Sequence, residues 1–538
     1  RQEAGCQVVV LDAGQIGSGQ TRNTTAKITS QHGMIYQKLT QTLGMDAARQ
    51  YAQANQSAVR AYEAIIKDKH IDCDFEERSA YVYGNDARLL REEAQAAAGL
   101  GLPASFVTDQ KIPAPAVGAV KFEHQAQFHP LKFLSAIADE LTRIDIFTGV
   151  QSMDYEQALA EGRIELLGED CDRRFMANVM GMVNDYETVK KVADGFGLVY
   201  TPFHGCGYKL VPEALTRLGI KHLYCEPKQM VIDGDFPTVV SPNPENPEGF
   251  YLAIDLAREK NVDFILGTDP DSDRVGIMVR NKAGEFEPVT GNQTGVLLLD
   301  YLIGAMKRAG KLPEKPAALK TIVTTEMARA VAEANGLDCY DTFTGFKFMA
   351  EKMNELESAG KNTVIFSYEE SYGYMIGHYV RDKDAVTASL LLTEMAAWYH
   401  AQGMTLLDAL RSLYEKYGWY GEKTHNLVMP GLDGLEKMAA LMQSLRAQPP
   451  VEIGGVTVAQ YKDYSDGTVR DAATGAVTPM PLSGSNVLRF ELTDGSHIVV
   501  RPSGTEPKIK VYILTKGADA AERDANLEKY SAWVKTLA

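Results

Sequence analysis

The sequence predicts an α/β protein, with successive mixed α/β domains followed by a C-terminal α+β domain. Three observations carry this. Between residues 198 and 266, apolar strand-like runs alternate with helical stretches. The alternation repeats from about 288 to 401. Near the end of the chain, 486–492 and 497–501 pair as strands around the turn Thr493-Asp494-Gly495. A chain of 538 residues holds several domains, at roughly one per 150 residues.

Composition narrows the function before any motif does. Hydrophobic residues make up 45% and charged residues 23%, ordinary for a globular protein. Against 55 basic side chains stand 71 acidic ones, a net charge of −16, which argues against nucleic acid as a partner. The 6 cysteines are scattered with no C-x-x-C. That pattern is expected of reduced thiols in the cytoplasm, not of a disulfide frame or a zinc site. No apolar run is long enough for a membrane span and no signal peptide is visible. The chain opens at Arg1 close to a strand-like run, so its true start is expected upstream.

The first strand is Gln7-Val8-Val9-Val10-Leu11-Asp12, an apolar run ending in an acid, followed by Gly14, Gly17 and Gly19. In a dinucleotide-binding fold, an acid at the end of the second strand bonds the ribose hydroxyls. That fold also needs G-x-G-x-x-G after its first strand, and none precedes Asp12. The front of the chain therefore reads as an incomplete dinucleotide-binding-like α/β fragment. Between 39 and 69, residues such as Ala58, Tyr62, Ile65 and Ile66 recur at helical spacing. Residues 87–99 and 130–141 are further helices, and Pro113, Pro115 and Gly118 break the pattern between them.

A strand from 198 runs into the glycine-bracketed turn His204-Gly205-Cys206-Gly207, and a helix over 211–218 and a strand over 222–225 follow. Ser241-Pro242-Asn243-Pro244-Glu245-Asn246-Pro247 is too rich in proline for a helix or central strand. A helix over 250–260 and a strand over 263–266 then lead into Thr268-Asp269-Pro270-Asp271-Ser272-Asp273-Arg274. In extended backbone, side chains two apart point the same way, so Asp269, Asp271 and Asp273 converge just past a strand end. Ligands gather there in open α/β sheets. Three like charges this close repel unless a cation sits among them. Hard carboxylate oxygens suit Mg²⁺, which often shares a phosphate with them. Arg274 adds a fixed cation able to grip a phosphate oxygen. An EF-hand loop fails, because its sixth position is Arg274, not Gly, and its twelfth is Arg280, not Glu. Apolar runs on both sides, 264–266 and 275–279, argue against a solvated acidic turn. The stretch points to Mg²⁺-assisted phosphoryl transfer.

The second α/β unit holds helices over 295–307 and 327–335, a strand at Thr321-Ile322-Val323, and a helix opened by Thr344-Gly345-Phe346-Lys347. A strand over 362–366 runs into Ser367-Tyr368-Glu369-Glu370-Ser371-Tyr372-Gly373. Glu369 and Ser371, two apart, can bond vicinal hydroxyls, although a plain strand-to-turn junction has the same composition. Arg381-Asp382-Lys383-Asp384 is either a solvated face or a place where Lys383 contacts phosphate or moves a proton. Near the C terminus, Arg501-Pro502-Ser503-Gly504-Thr505-Glu506-Pro507-Lys508 can cradle a phosphate. Gly504 admits close N–H groups, Ser503 and Thr505 offer hydroxyls, and Arg501 offers a fork.

From about residue 144 onward these motifs resemble the phosphoglucomutase/phosphomannomutase superfamily, the α-D-phosphohexomutases. Glu369-Glu370-Ser371-Tyr372-Gly373 and Arg381-Asp382-Lys383-Asp384-Ala385 are most similar to bacterial α-phosphoglucomutases. The resemblance implies Asp269, Asp271 and Asp273 as Mg²⁺ ligands, with Arg274 and Lys383 in the catalytic site. It implies Lys347, Glu369 and Ser371 for substrate, and Arg501, Ser503, Gly504 and Thr505 for the phosphate that does not react. The implied partners are hexose phosphates and a hexose bisphosphate, with glucose 1-phosphate and glucose 6-phosphate interconverted through a phosphoserine. The expected domains are a remnant of the first at 142–190, the second at 191–287, the third at 288–405 and the fourth at 406–538. The family's Ser-His-Asn-Pro loop is not found. Thr29-Ser30-Gln31-His32 carries an extra Gln, and Ser241-Pro242-Asn243-Pro244 has Pro for His. Impaired activity is therefore expected.

Residues from about 7 to 141 resemble an internal piece of an FAD-dependent oxidoreductase of the D-amino-acid oxidase class. The carrying stretches are Val8-Val9-Val10-Leu11-Asp12-Ala13-Gly14, Gly17-Ser18-Gly19, Asn23-Thr24-Thr25-Ala26-Lys27-Ile28-Thr29 and Gln127-Phe128-His129-Pro130. This resemblance implies Asp12 at the adenosine ribose. With the pyrophosphate loop absent, FAD is not expected to be retained. Two rival functions follow, a flavin oxidoreductase and a non-catalytic sugar-phosphate-binding fusion of two partial proteins.

Overall fold

A computed structural model describes residues 26–108, 116–142, 153–429, 434–503 and 508–537. The chain divides into two compact units, Arg1–Leu166 and Leu167–Ala538.

In the first unit, β4 (Gly118–Gln127) pairs antiparallel with β1 (Lys27–Ile28), β2 (Glu76–Gly84) and β3 (Ala104–Val107). The expected dinucleotide-binding-like fragment calls for parallel strands. The described strands of this unit are antiparallel, since β1, β2 and β3 each run against β4. Residues 7–12, with Asp12 and the glycines after it, lie outside the described residues. The helical pattern over 39–69 is two helices, Tyr36–Leu43 and Met45–Asp68. They are split at Gly44, whose φ of +82° suits glycine. Helix Ala87–Gly99 is capped by Asp86, which accepts from the N–H groups of Arg88 and Leu89.

The second unit begins with a mixed sheet in the order β6 (His222–Cys225), β5 (Gly197–Thr201), β7 (Phe264–Thr268), β8 (Val275–Arg280), β9 (Phe286–Val289). β5 pairs parallel with β6 and β7, while β7, β8 and β9 form an antiparallel meander. Residues of β5 alternate between two cores. Leu198 and Tyr200 pack with Val211 and Leu215 of helix Gly207–Leu218, and Val199 packs with Ala253 and Ala257 of helix Tyr251–Lys260. Covered faces on both sides explain the continuous apolar runs in the sequence.

A second mixed sheet has the order β11 (Asp338–Thr342), β10 (Pro316–Thr321), β12 (Thr363–Tyr368), β13 (Tyr374–Met375), with β10 parallel to both neighbours. Helix Ala385–His400 is buried on nearly every side and packs on helix Gly207–Leu218, joining the two sheets. Its residue Glu394, 1% exposed, accepts from the N–H groups of Asn184 and Asp185 and from the Tyr301 hydroxyl. The expected strand Thr321-Ile322-Val323 is corrected: β10 ends at Thr321 and the chain turns, with Thr324 N–H donating to the Thr321 carbonyl. Ile322 and Val323 supply a strand-like signal but bury themselves against the next sheet.

That sheet is antiparallel, in the order β14 (Trp419–Val428), β21 (Lys508–Gly517), β20 (His497–Pro502), β19 (Leu488–Leu492), β16 (Val456–Asp463), β17 (Thr468–Asp471), β18 (Val477–Pro479), with β15 (Glu452–Ile453) beside β16. One face packs Phe490, Ile498, Val511 and Ile513 on Tyr530 and Val534 of helix Ala520–Val534. The other packs Tyr464, Val487, Val499 and Tyr512 on Ile322 and Val323. Among the described residues no helix is long and apolar enough to cross a membrane.

Candidate functional site

The hairpin turn between β7 and β8 carries the three acids. One ligand oxygen from each of Asp269, Asp271 and Asp273 lies within 4.8 Å of the others. The convergence arises differently from the extended backbone that the spacing suggests. Ser272 sits at φ +56° and its N–H donates to the Asp269 carbonyl at 3.0 Å. The chain thus curls, and Asp269 Oδ1 accepts from the N–H groups of Asp273 at 3.0 Å and Arg274 at 2.8 Å. Three acids held this way are a donor set that could hold a divalent ion. Burial first, then Asp273 and Asp271, push the Asp269 carboxyl up to about 7. An ion among them would relieve that repulsion.

Neighbouring segments lock the loop. Cys206 N–H donates to the Pro270 carbonyl at 2.8 Å, Ala385 N–H donates to Ser272 at 3.1 Å, and Arg274 bridges Gly373. The Ala385 contact places the loop at the N-terminus of helix Ala385–His400, where Asp384 accepts from Val386 and Thr387. A Cβ at Gly205 would come within 2.3 Å of Pro270 Cα. Gly205→Ala is therefore expected to displace the loop and cost roughly 10–100-fold in Mn²⁺ affinity, checked by isothermal titration.

Lys383 Nζ lies 2.6 Å from Asp273 Oδ2. Burial lowers its affinity for the proton, but Asp273 outweighs burial and holds the ammonium above its ordinary range. Arg274 Nε stands 3.7 Å from Asp273 Oδ1, and Arg274 Nη1 stands 3.4 Å from Glu245. Glu245 lies in the proline-rich loop, which sequence reading treated only as a loop. Its Asn-Pro-Glu-Asn-Pro setting was the available signal.

Across the bridge, Glu369 accepts from Gly345 N–H at 2.5 Å and from Ser371 Oγ at 3.4 Å, so the two polar side chains do face each other. Lys347 is exposed at the start of helix Phe346–Ser358, its ammonium 4.8 Å from the centre of the Phe348 ring. Arg501 lies near the end of β20, opposite Lys510 of β21, and Ser503 N–H donates to the Lys508 carbonyl at 2.8 Å. Gly504 and Thr505 lie outside the described residues.

These features define a multidomain α/β protein with a carboxylate ion loop bridged to a Glu/Ser loop. Three family models match in order: Phosphoglucomutase/phosphomannomutase alpha/beta/alpha domain II at residues 173–284, domain III at 290–417 and the C-terminal domain at 446–526. The chain belongs to this family, within the α-D-phosphohexomutase superfamily. The domain II match starts inside the stretch expected to be the remnant of the first domain. A phosphoglucomutase of Staphylococcus aureus (strain MRSA252) is 35% identical over 322 residues, covering 60% of this chain and 57% of the relative. The chain thus matches less than two thirds of that relative's length. Among solved structures, the Paramecium exocytosis-sensitive phosphoprotein parafusin is 19% identical with a TM-score of 0.46, covering 68% of this chain and 60% of that one. A phosphoglucomutase/phosphomannomutase family protein from Burkholderia thailandensis is 13% identical with a TM-score of 0.46, covering 83% and 86%.

Proposed function

We propose that this chain binds hexose phosphates in a Mg²⁺ site built for moving a phosphoryl group between C1 and C6 of glucose, with little turnover. The observation that carries this reading is the convergence of Asp269, Asp271 and Asp273 beside Arg274 and Lys383, on a loop bridged to Gly373. A Mg²⁺ held by the three acids would neutralise charge on the transferring phosphoryl group. Arg274 would hold a phosphoryl oxygen. Lys383, as an ammonium, would contact the phosphate or give a proton to the reacting sugar oxygen. Glu369 and Ser371 would fix the sugar by its hydroxyls, while Lys347 borders the cleft. Arg501, Ser503, Gly504 and Thr505 would hold the idle phosphate. Catalysis of this kind is mainly positioning and charge neutralisation. The unpaired thiols among the described residues accord with a cytoplasmic setting.

Low turnover rests on the absence of a Ser-His-Asn-Pro loop from the 538 residues. A coupled assay with glucose 1-phosphate, glucose 1,6-bisphosphate and Mg²⁺ tests it. The expected rate lies at least a thousandfold below an ordinary turnover of about 10 s⁻¹. A rate near that figure overturns the impairment, and failure to bind either sugar phosphate overturns the whole reading.

A further inference from the structure

The sugar loop carries a second acid that this chemistry does not use. Glu370 lies between Glu369 and Ser371, largely buried, against a cavity of about 340 Å³ lined from domains II, III and IV. Its hydrogen bonds are long: Thr321 Oγ1 donates at 3.4 Å and Thr324 Oγ1 at 3.5 Å. Among the described residues Glu370 has no ion-pair partner within 4.0 Å. Its backbone is held close to the first turn of helix Gly291–Ala309, where a Cβ at Gly291 would stand 2.1 Å from the Glu370 carbonyl oxygen.

The groups around this carboxyl come from every side. Glu369 adjoins it on its own loop, and Glu245 faces it from domain II. Domain IV contributes Glu422 and Lys423 from β14, and Lys510 and Tyr512 from β21. Tyr512 is 3% exposed, and Arg501 from the adjoining strand stands beside its hydroxyl. Arg501 and Lys510 occupy paired positions on adjoining strands, so Arg501 lies next to a residue that lines this cavity. Burial first, then Glu369, push the Glu370 carboxyl up to about 7, with Lys510 pulling the other way. A sugar phosphate held by Arg501 and Lys510 would bring a dianion toward an acid that lacks an ion-pair partner, and would compete with it for the field of Lys510.

Resting on the hexose-phosphate reading, we propose that Glu370 takes up a proton from solvent when a phosphorylated sugar binds, coupling ligand binding to neutralisation of the sugar loop. The sign follows from linkage. Where Glu370 is already protonated there is nothing to take up. Where it is ionised, binding must first restore its proton, so affinity falls as pH rises.

The test is calorimetric titration of glucose 1,6-bisphosphate into the full chain with Mg²⁺ at pH 8, in two buffers of different ionisation enthalpy. The wild type is expected to take up about half a proton or more beyond that seen for Glu370→Gln. Between pH 6.5 and 8.5 the wild-type Kd is expected to rise by up to about tenfold per unit relative to the variant. Binding with equal proton uptake in both proteins overturns this inference alone, as does binding with no uptake by the wild type, which needs no variant to fold. No binding by either protein overturns the sugar-phosphate reading and this inference with it.

Discussion

Asp269→Asn is expected to lower the affinity for Mg²⁺ or Mn²⁺ by about a hundredfold or more, and to stabilise the metal-free chain above pH 7. Asp269 is 7% exposed and its Oδ1 already accepts two backbone N–H groups, which the Asn oxygen can also accept. The substitution keeps the turn and removes one charge from three crowded carboxylates. The native carboxyl titrates near 7, pushed up by burial and by Asp273 and Asp271. Between the ordinary Asp value of about 4 and that point, the native chain holds a proton that the unfolded chain has released. Stability from this group is therefore complete below pH 4 and lost as pH rises through 7. Asn has no such proton to lose. The gain at pH 8 should be on the order of 1–2 kcal/mol, discounted for the solvent reaching Asp271. Thermal unfolding of both proteins at pH 5.5 and 8, with and without Mn²⁺, measures it. The wild type should gain most from metal at pH 8 and least at 5.5. Equal metal response in wild type and variant would sink the assignment of Asp269 as a ligand.

Glu326→Gln should be the more damaging change to the fold, costing about 3–5 kcal/mol. Glu326 is the hub of a buried ion network between domains III and IV. Lys320 Nζ lies 3.1 Å from it, Arg329 Nε 3.2 Å and Arg489 Nη2 3.1 Å. The Lys320 side chain is 1% exposed and that of Arg489 5%. Asp341 shares Lys320 at 2.9 Å, and Glu491 faces Arg489 at 3.4 Å. Burial raises the Glu326 carboxyl, but Lys320 and Arg489 outweigh it and hold the group well below the usual carboxylate range. Its contribution is present above the unfolded Glu value and lost only as pH falls through the depressed native one. Gln leaves Lys320 and Arg489 short of one negative charge in a site that water hardly reaches. His497 adds no further positive charge near neutrality, because burial and Arg489 push its imidazole down to about 4. Urea unfolding should show the loss for Glu326→Gln and almost none for Arg411→Ala, whose pair with Glu415 is exposed. Equal curves would mean that the network contributes nothing net.

Legibility in the sequence followed the physics of each element. Strands with two covered faces, such as β5 and β7, announce themselves as apolar runs. β10 does not, because Pro316, two alanines and the wholly buried Lys320 carry little strand signal, and only the ion network makes that lysine tolerable inside. β11, Asp338–Thr342, is polar for a related reason, since Asp341 belongs to the same network. Ile322 and Val323 misled in the opposite direction, being β-branched for the sake of an interdomain contact. The site residues within short motifs were legible together, but Glu245 was not, because its partner Arg274 lies 29 residues away.

The chemical character of the carboxylate loop is written in local sequence. Acids at alternate positions beside an arginine specify hard oxygen donors and an anion partner wherever the loop ends up. Only the tertiary structure decided how those groups meet. A left-handed Ser272 curls the loop, Pro270 is seated against Gly205, and Lys383 arrives at Asp273 from a segment more than a hundred residues away. Such contacts depend on the packing of distant elements, which no local pattern of residues encodes.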